Sequence, residues 1–358
     1  MSRLLSTVSA ITFIAGTYAS ADVPKVVADI APIHSLVSRV MDGVGEPKLI
    51  VPNETSPHDY RLRPADAEAI EDANLVFWMG EGLTPWMERA LEALSNDTDI
   101  IEFLALEEST LLSFREGALF EAHDHSDHDD HDDHDDHDDH DDHDKDHDDH
   151  DDHDKDHDDH DDHDDHDDHD KDHDDHDDHD DHAGHDHGEY DPHAWLSTNN
   201  AKTWLNVIAA RLSSIDPDNA GAYFANASEA RGEMDALDVE INTMLDPVRG
   251  GKFVVFHDAY QYFETVYDFP ASGAISLGDA SDPSAARVAE IANRIKSENI
   301  ACVLSEPQFN AGLVKTVMGG TDATTEVIDP LGFGIEPGKS LYPKLIRAMA
   351  QSLVNCLK

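Results

Sequence analysis

Between residues 122 and 188 the chain is almost entirely Asp and His, mostly as the triplet Asp-Asp-His, and this tract holds 22 of its 26 histidines. Imidazole nitrogen is a strong ligand for zinc, copper and nickel. The tract sets 37 Asp against Lys145, Lys155 and Lys171, a field that concentrates cations and raises the proton affinity of each ring. Several weak, interchangeable metal sites follow, with affinity falling as pH drops through the His range. His123, His125, His128, His131, His134, His137, His140, His182, His185 and His187 are expected as auxiliary ligands. A zinc antenna or buffer, a zinc sensor, and a repeat expansion that is merely tolerated are the three uses such a tract could have. With so few apolar residues it cannot offset the entropy of ordering, so it is expected to be a disordered surface loop.

A disordered tract gives no single coordination geometry, so the four remaining histidines matter more for mechanism: His34, His58, His193 and His257. His58 lies in Ser56-Pro57-His58-Asp59-Tyr60, His193 in Asp191-Pro192-His193-Ala194-Trp195, and His257 directly after the apolar run FVVF. Each sits in a loop or at the end of an element. In open α/β sheets ligands bind outside the carboxyl ends of the strands, so these three are expected to point into one cleft. Three His ligands leave one tetrahedral position for water or a carboxylate. Taken singly, a loop His is more often a solvated or hydrogen-bonding residue. His34 falls on a helical stripe and is assigned to packing or surface. Asp59 and Asp258 are candidates to orient the ligand rings, with helix capping as the equal alternative. Glu306 is read as structural.

The elements that must position these residues alternate between strand and helix, the pattern of a parallel α/β sheet. The first series is strand 25–30, helix 32–41, strand 48–51, helix 64–73, strand 74–79, helix 84–94 and a short strand within 97–104. After the tract come a helix at 200–213 and a proline-free run at 218–245, long enough to span roughly 40 Å as a stiff connector. A second series follows: strand 253–256, helix 260–267, helix 283–298, strand 300–304, helix 311–317, strand 325–328 and helix 342–357. The fold class expected is α/β, two Rossmann-like lobes with parallel sheets joined by one long rigid helix. The boundaries are an N-terminal lobe at 22–217 carrying the loop at 122–188, a connecting helix at 218–245, and a C-terminal lobe at 246–358.

Residues 1–21 read as a secretory signal: Arg3, a short apolar run from Leu4 to Ala15, and the cleavage pattern Ala19-Ser20-Ala21. An uncleaved anchor is the alternative. No later run approaches the length of a membrane span, so the mature protein is expected to be soluble and periplasmic. The formal net charge of −55 argues against nucleic acid and for cations as partners. The only two cysteines are Cys302 and Cys356. In an exported chain an even pair suggests a disulfide, with two buried free thiols as the alternative.

Five motifs carry a resemblance over essentially the whole mature chain: PHDYRLRPADAEAI at His58, EYDPHAWLSTNNA at His193, FVVFHDAYQYF at His257, SEPQF at Glu306 and IDPLG at Asp329. In this order they resemble the zinc-specific solute-binding proteins of bacterial ABC importers, the ZnuA type. The Asp/His-rich insertion ahead of the second motif is also a mark of that group. The resemblance implies that His58, His193 and His257 bind Zn²⁺ between the lobes, and that Cys302 and Cys356 pair. It leaves the fourth ligand open. Asp329 corresponds to a carboxylate ligand of manganese-carrying relatives, whereas in zinc members water often fills the place. Some zinc members use a Glu just before the first His, and here Pro57 stands there.

The expected function is capture of Zn²⁺ in the periplasm and its delivery, by a monomer, to a membrane permease driven by an ATPase, with no catalysis. The alternatives are a periplasmic zinc metallochaperone or adhesin and a manganese-binding importer component. Last comes a His₃ zinc hydrolase, for which no HExxH motif or evident general base is present.

Overall fold

The computed structural model describes residues 23–95, 98–115, 120, 190–276, 283–308 and 311–358. The expected signal segment at 1–21, and the tract with its auxiliary histidines, lie outside the described residues. Two four-stranded sheets, all parallel, form the frame. The first contains β1 (Val26–Ala28), β2 (Lys48–Leu49), β3 (Leu75–Trp78) and β4 (Asp99–Glu102) in the order β2-β1-β3-β4. The second contains β5 (Phe253–His257), β6 (Ala274–Ser276), β7 (Cys302–Ser305) and β8 (Thr324–Val327) in the order β6-β5-β7-β8. The two orders are the same pattern. In each sheet the first strand is central, and the connections leave it in opposite directions, to β2 and β3 or to β6 and β7. That reversal creates the crevice at the strand ends where ligands bind.

The inner strands β1, β3, β5 and β7 are short, mostly apolar runs buried on both faces, as a parallel sheet covered by helices requires, whereas the edge strands β2, β4 and β8 are partly or largely exposed. Leu75 to Trp78 and Phe253 to His257 are buried throughout. The helices of the first half are α1 (Ala31–Val40), α2 (Pro64–Glu71), α3 (Pro85–Leu94) and α4 (Thr198–Ile215). Proline in the first turn opens α1, α2 and α3, where the missing N–H costs nothing. Ser197 starts α4 by accepting from the Asn200 N–H. In the second half α6 (Gln261–Tyr267), α7 (Ala285–Glu298), α8 (Ala311–Val317) and α9 (Leu341–Leu357) surround the sheet. α6 and α7 end at Asp268 and Asn299 in the left-handed region, φ 48° and 53°, a conformation Asn and Asp tolerate better than most residues.

The long helix α5 (Ala220–Leu245) has 26 residues. Its start is two residues later than the pattern indicated, because Pro217–Asn219 forms a separate 3₁₀ turn. The buried Asp216 carboxylate holds that turn, accepting from Asn219 Nδ2 at 2.8 Å and from Tyr223 Oη at 2.7 Å. One stripe of α5 is buried: Tyr223, Ala227, Ala230, Met234, Leu237, Ile241 and Leu245. The i+3/i+4 spacing faces it onto α1, α4 and α9. The last helix also crosses between the halves. It packs on β7 and β8, is tied to β7 by the Cys302–Cys356 disulfide, and meets α1, where Tyr342 N donates to Ser35 Oγ at 2.9 Å. A single apolar cluster consequently runs from β1 and β3 through α4, α5 and α9 to β5. A smaller cluster, under α7, lies on the far face of the second sheet.

Two strands also differ from the sequence reading. β6 was absent from it, because three residues are too few to show a period. β5 runs one residue further, so His257 is the last residue of the strand instead of following it.

Candidate metal centre

His58, His193 and His257 line one cavity, together with Ser56, Pro57, Trp195, Glu306, Gln308, Pro330 and Leu331. Its volume of about 20 Å³ exceeds the roughly 10–15 Å³ that one water or ion needs. His257 reaches it from the carboxyl end of β5. Glu306 follows the adjacent β7 directly, so the cavity occupies the crevice of the second sheet. His193 precedes a one-turn 3₁₀ helix, Ala194–Leu196, that leads into α4. His58 stands in the loop between β2 and α2, whose position is set by Trp86 Nε1 donating to the Pro57 carbonyl at 2.8 Å.

Two of the three rings are oriented by buried carboxylates. His193 Nδ1 lies 2.7 Å from Asp191 Oδ1, and His257 Nδ1 lies 2.6 Å from Glu306 Oε1. A proton on each Nδ1 satisfies those contacts. It leaves each Nε2 with its lone pair toward the other ring, and the two Nε2 atoms are 3.4 Å apart. Two nitrogens at about 2.05 Å from a tetrahedral zinc are separated by roughly 3.3–3.4 Å. The spacing therefore suits a shared cation better than a hydrogen bond. The His58 ring is 6.1 Å from that of His193, centroid to centroid, and the His257 ring is 5.2 Å from it. Among the described residues no group of three or more His, Cys, Asp or Glu side chains is already drawn into a metal-holding set. The His193 and His257 Nε2 atoms approach each other, and the His58 ring stands on the other side of His193 in the same cavity lining.

Burial and charge around the pair are tightly managed. Burial pushes the Asp191 carboxyl up to about 7, opposed by the His193 N–H and by the charges of Arg115 and His257. Asp258, expected as a possible ring orienter, does something else: it pairs with Arg115, which also takes Glu264 at 2.7 Å. Burial raises the carboxyl groups of Asp258 and Glu264 as well, and the Arg115 guanidinium holds them down. Asp59 is exposed on the His58 loop. The orienting role belongs to Asp191 and Glu306. Asp191 stands two residues before its His in the motif, a signal the sequence offered. Glu306 becomes a partner of His257 only through the β5–β7 pairing.

Asp329 is not among the cavity-lining residues. It is partly buried, and its Oδ1 accepts from the Leu331 N–H at 2.9 Å. Burial pushes its carboxyl up, while backbone N–H groups of Leu331, Phe333 and Gly332 favour the charged form. It organises the start of the loop that follows β8. His34 sits on α1, is not among the cavity-lining residues, and has Nε2 3.0 Å from the Pro47 carbonyl, in keeping with the packing or surface role assigned to it. No helix among the described residues is long and apolar enough to cross a membrane.

Comparison with known proteins fits this geometry. The family model for the zinc-uptake complex component A, periplasmic (ZnuA), matches residues 26–356. A high-affinity zinc uptake system protein of Brucella abortus is 44% identical over 360 residues, covering 100% of this chain and 99% of the relative. One from Paracoccus denitrificans is 43% identical over 340 residues, covering 95% and 93%. Among solved structures, a zinc-bound ZnuA deletion mutant shares the fold, with a TM-score of 0.65 at 21% identity, covering 94% of this chain and 99% of that one.

Proposed function

Starting from the fact that the chain belongs to the ZnuA family of periplasmic zinc-uptake components, we propose that His58, His193 and His257 are the ligands that hold its cargo. The protein is the periplasmic zinc-binding component of a zinc-uptake ABC system, and Zn²⁺ is what it carries. A permease and an ATPase are the partners such a system implies. The supporting observation is the 3.4 Å separation of the His193 and His257 Nε2 atoms, each ring held at Nδ1 by a buried carboxylate. Three neutral imidazoles suit zinc, with copper and nickel able to compete on raw affinity. Water takes the fourth position in this reading, because Asp329 is engaged by its own loop.

The reading is of a carrier without catalysis. Among the described residues, the carboxylate lining the cavity is Glu306, which is committed to His257 Nδ1 and is poorly placed to serve as base to a metal-bound water. The Asp/His tract is proposed as an auxiliary, low-affinity capture or sensing segment. The test is competitive zinc titration of the full chain against a chelator of known affinity. One tight equivalent is expected, lost in His193→Ala and in His257→Ala and weakened in His58→Ala. A tight equivalent surviving all three changes would end the proposal.

A further inference from the structure

The loop Pro330–Gly338, between β8 and α9, supplies one wall of the cavity through Pro330 and Leu331. The loop carrying His58 supplies the facing wall through Ser56, Pro57 and His58. Among the described residues, side-chain hydrogen bonds tie the 330–338 loop to the first half of the chain. Asn53, 3% exposed and five residues before His58, reaches across with Nδ2 and donates to the carbonyls of Gly332 and Ile335, the latter at 2.9 Å. Trp195 Nε1 holds the base of the same loop by donating to the Pro330 carbonyl at 2.8 Å. Beyond that point the loop turns repeatedly on glycine. Gly332, Gly334 and Gly338 have φ of +85°, +76° and +130°, and Phe333 at its tip is about half exposed.

We infer that Asn53 is a latch: a positioning residue that holds the 330–338 loop closed over the cavity and so sets the rate at which metal enters and leaves. The inference rests on the zinc site proposed above. Trp195 fixes one end of the loop, and the glycines let the rest swing about it. Asp329 ties the start of the loop within its own half, so the Asn53 bonds are the side-chain hydrogen bonds to the His58 loop that must break before the Leu331 wall can lift. The continuous core through α5 and α9 resists a hinge between the halves, so the loop is the cheaper path. Asn53 is not among the residues lining the cavity, and its two side-chain bonds go to backbone carbonyls of the loop. Its bonds therefore stabilise the closed loop to a similar extent with or without cargo. That gives the latch a signature: without it, association and dissociation both speed up while the equilibrium affinity barely moves. Two net hydrogen bonds correspond to about 30-fold in rate.

The experiment uses the full chain loaded with one equivalent of Zn²⁺ and mixed rapidly with excess chelating dye. The slow phase that is missing from His257→Ala reports the cavity. In Asn53→Asp, which keeps the shape but removes the donors, and in Asn53→Ala, that phase is expected to run about 30-fold faster, with the dissociation constant within about threefold of the parent. An unchanged slow phase in both variants would overturn the latch. So would an affinity that falls as much as release rises, since Asn53 would then support the bound state alone. A slow phase that persists in His257→Ala would overturn the cavity assignment itself, whatever Asn53 does.

Discussion

Replacing Glu306 by Gln tests the centre at its most specific point. The Glu306 side chain is 1% exposed and lies 2.6 Å from His257 Nδ1. Gln keeps the shape and an oxygen able to accept the Nδ1 proton, but not the charge. With zinc on Nε2, that charge would stand about 6–7 Å from a dication, an attraction of up to about 5 kcal/mol at an effective dielectric of 20. Because the amide still orients the ring, the smaller, measured scale for outer partners of metal-bound His applies: 10- to 100-fold in affinity, or about 1.4–2.8 kcal/mol. Zinc affinity by chelator competition should fall by that factor, and His257→Ala should fall further. Urea unfolding of the metal-free proteins separates this loss from misfolding. A folded Glu306→Gln protein that binds zinc within twofold of the parent would refute the idea that coordination runs through a carboxylate-tuned His257.

Further expectations concern the buried charges, the disulfide and the Asp/His tract. Asp29 at the end of β1 accepts from the N–H groups of Ile30 and Met79 at 2.7 and 2.8 Å, so Asp29→Ala should cost about 2–5 kcal/mol in urea unfolding by orphaning two buried donors. Burial pushes its carboxyl up to about 7, above the ordinary unfolded value. Its stabilising contribution is therefore complete below about pH 4 and lost as pH rises through 7, and Asp29→Asn should gain on the parent over that window. Arg115→Met strands the buried Asp258 and Glu264 carboxylates and should destabilise by about 3–5 kcal/mol at pH 7; because burial already raises both groups, the penalty should shrink in acid, read as a converging pair of unfolding curves. Opening the Cys302–Cys356 disulfide, which spans 54 residues, by a double Ser replacement should cost about 4 kcal/mol and leave zinc affinity unchanged; deletion of residues 124–186 should remove weak zinc equivalents by titration and keep the tight one.

The three histidines that line the cavity were easier to single out from the sequence than the contacts around them. His58, His193 and His257 could be grouped because each stands at an element's end in a distinctive local motif, and the strand–helix alternation fixed the class of fold. Asp191 was within reach, two residues from its His in the same motif. Glu306 was not, since its role depends on β5 and β7 being sheet neighbours 49 residues apart. Asp258 looked like an orienter by adjacency alone, but a strand end turns successive side chains to different sides, and it goes to Arg115. Asn53 gave no local signal at all, because its partners are carbonyls some 280 positions away. The two-lobe pattern likewise hid the return of α9 onto α1, which only the folded chain reveals.

That return of the last helix has a consequence for how the molecule can be taken apart. A fragment ending after α5 would expose the face of α1 that Tyr342 normally covers, and a fragment beginning there would lack the partner for half of its final helix. Neither half should be expressible as a stable module. Denaturation should show a single transition by every probe, and chimaeras that exchange halves between relatives should need the terminal helix to travel with the first sheet.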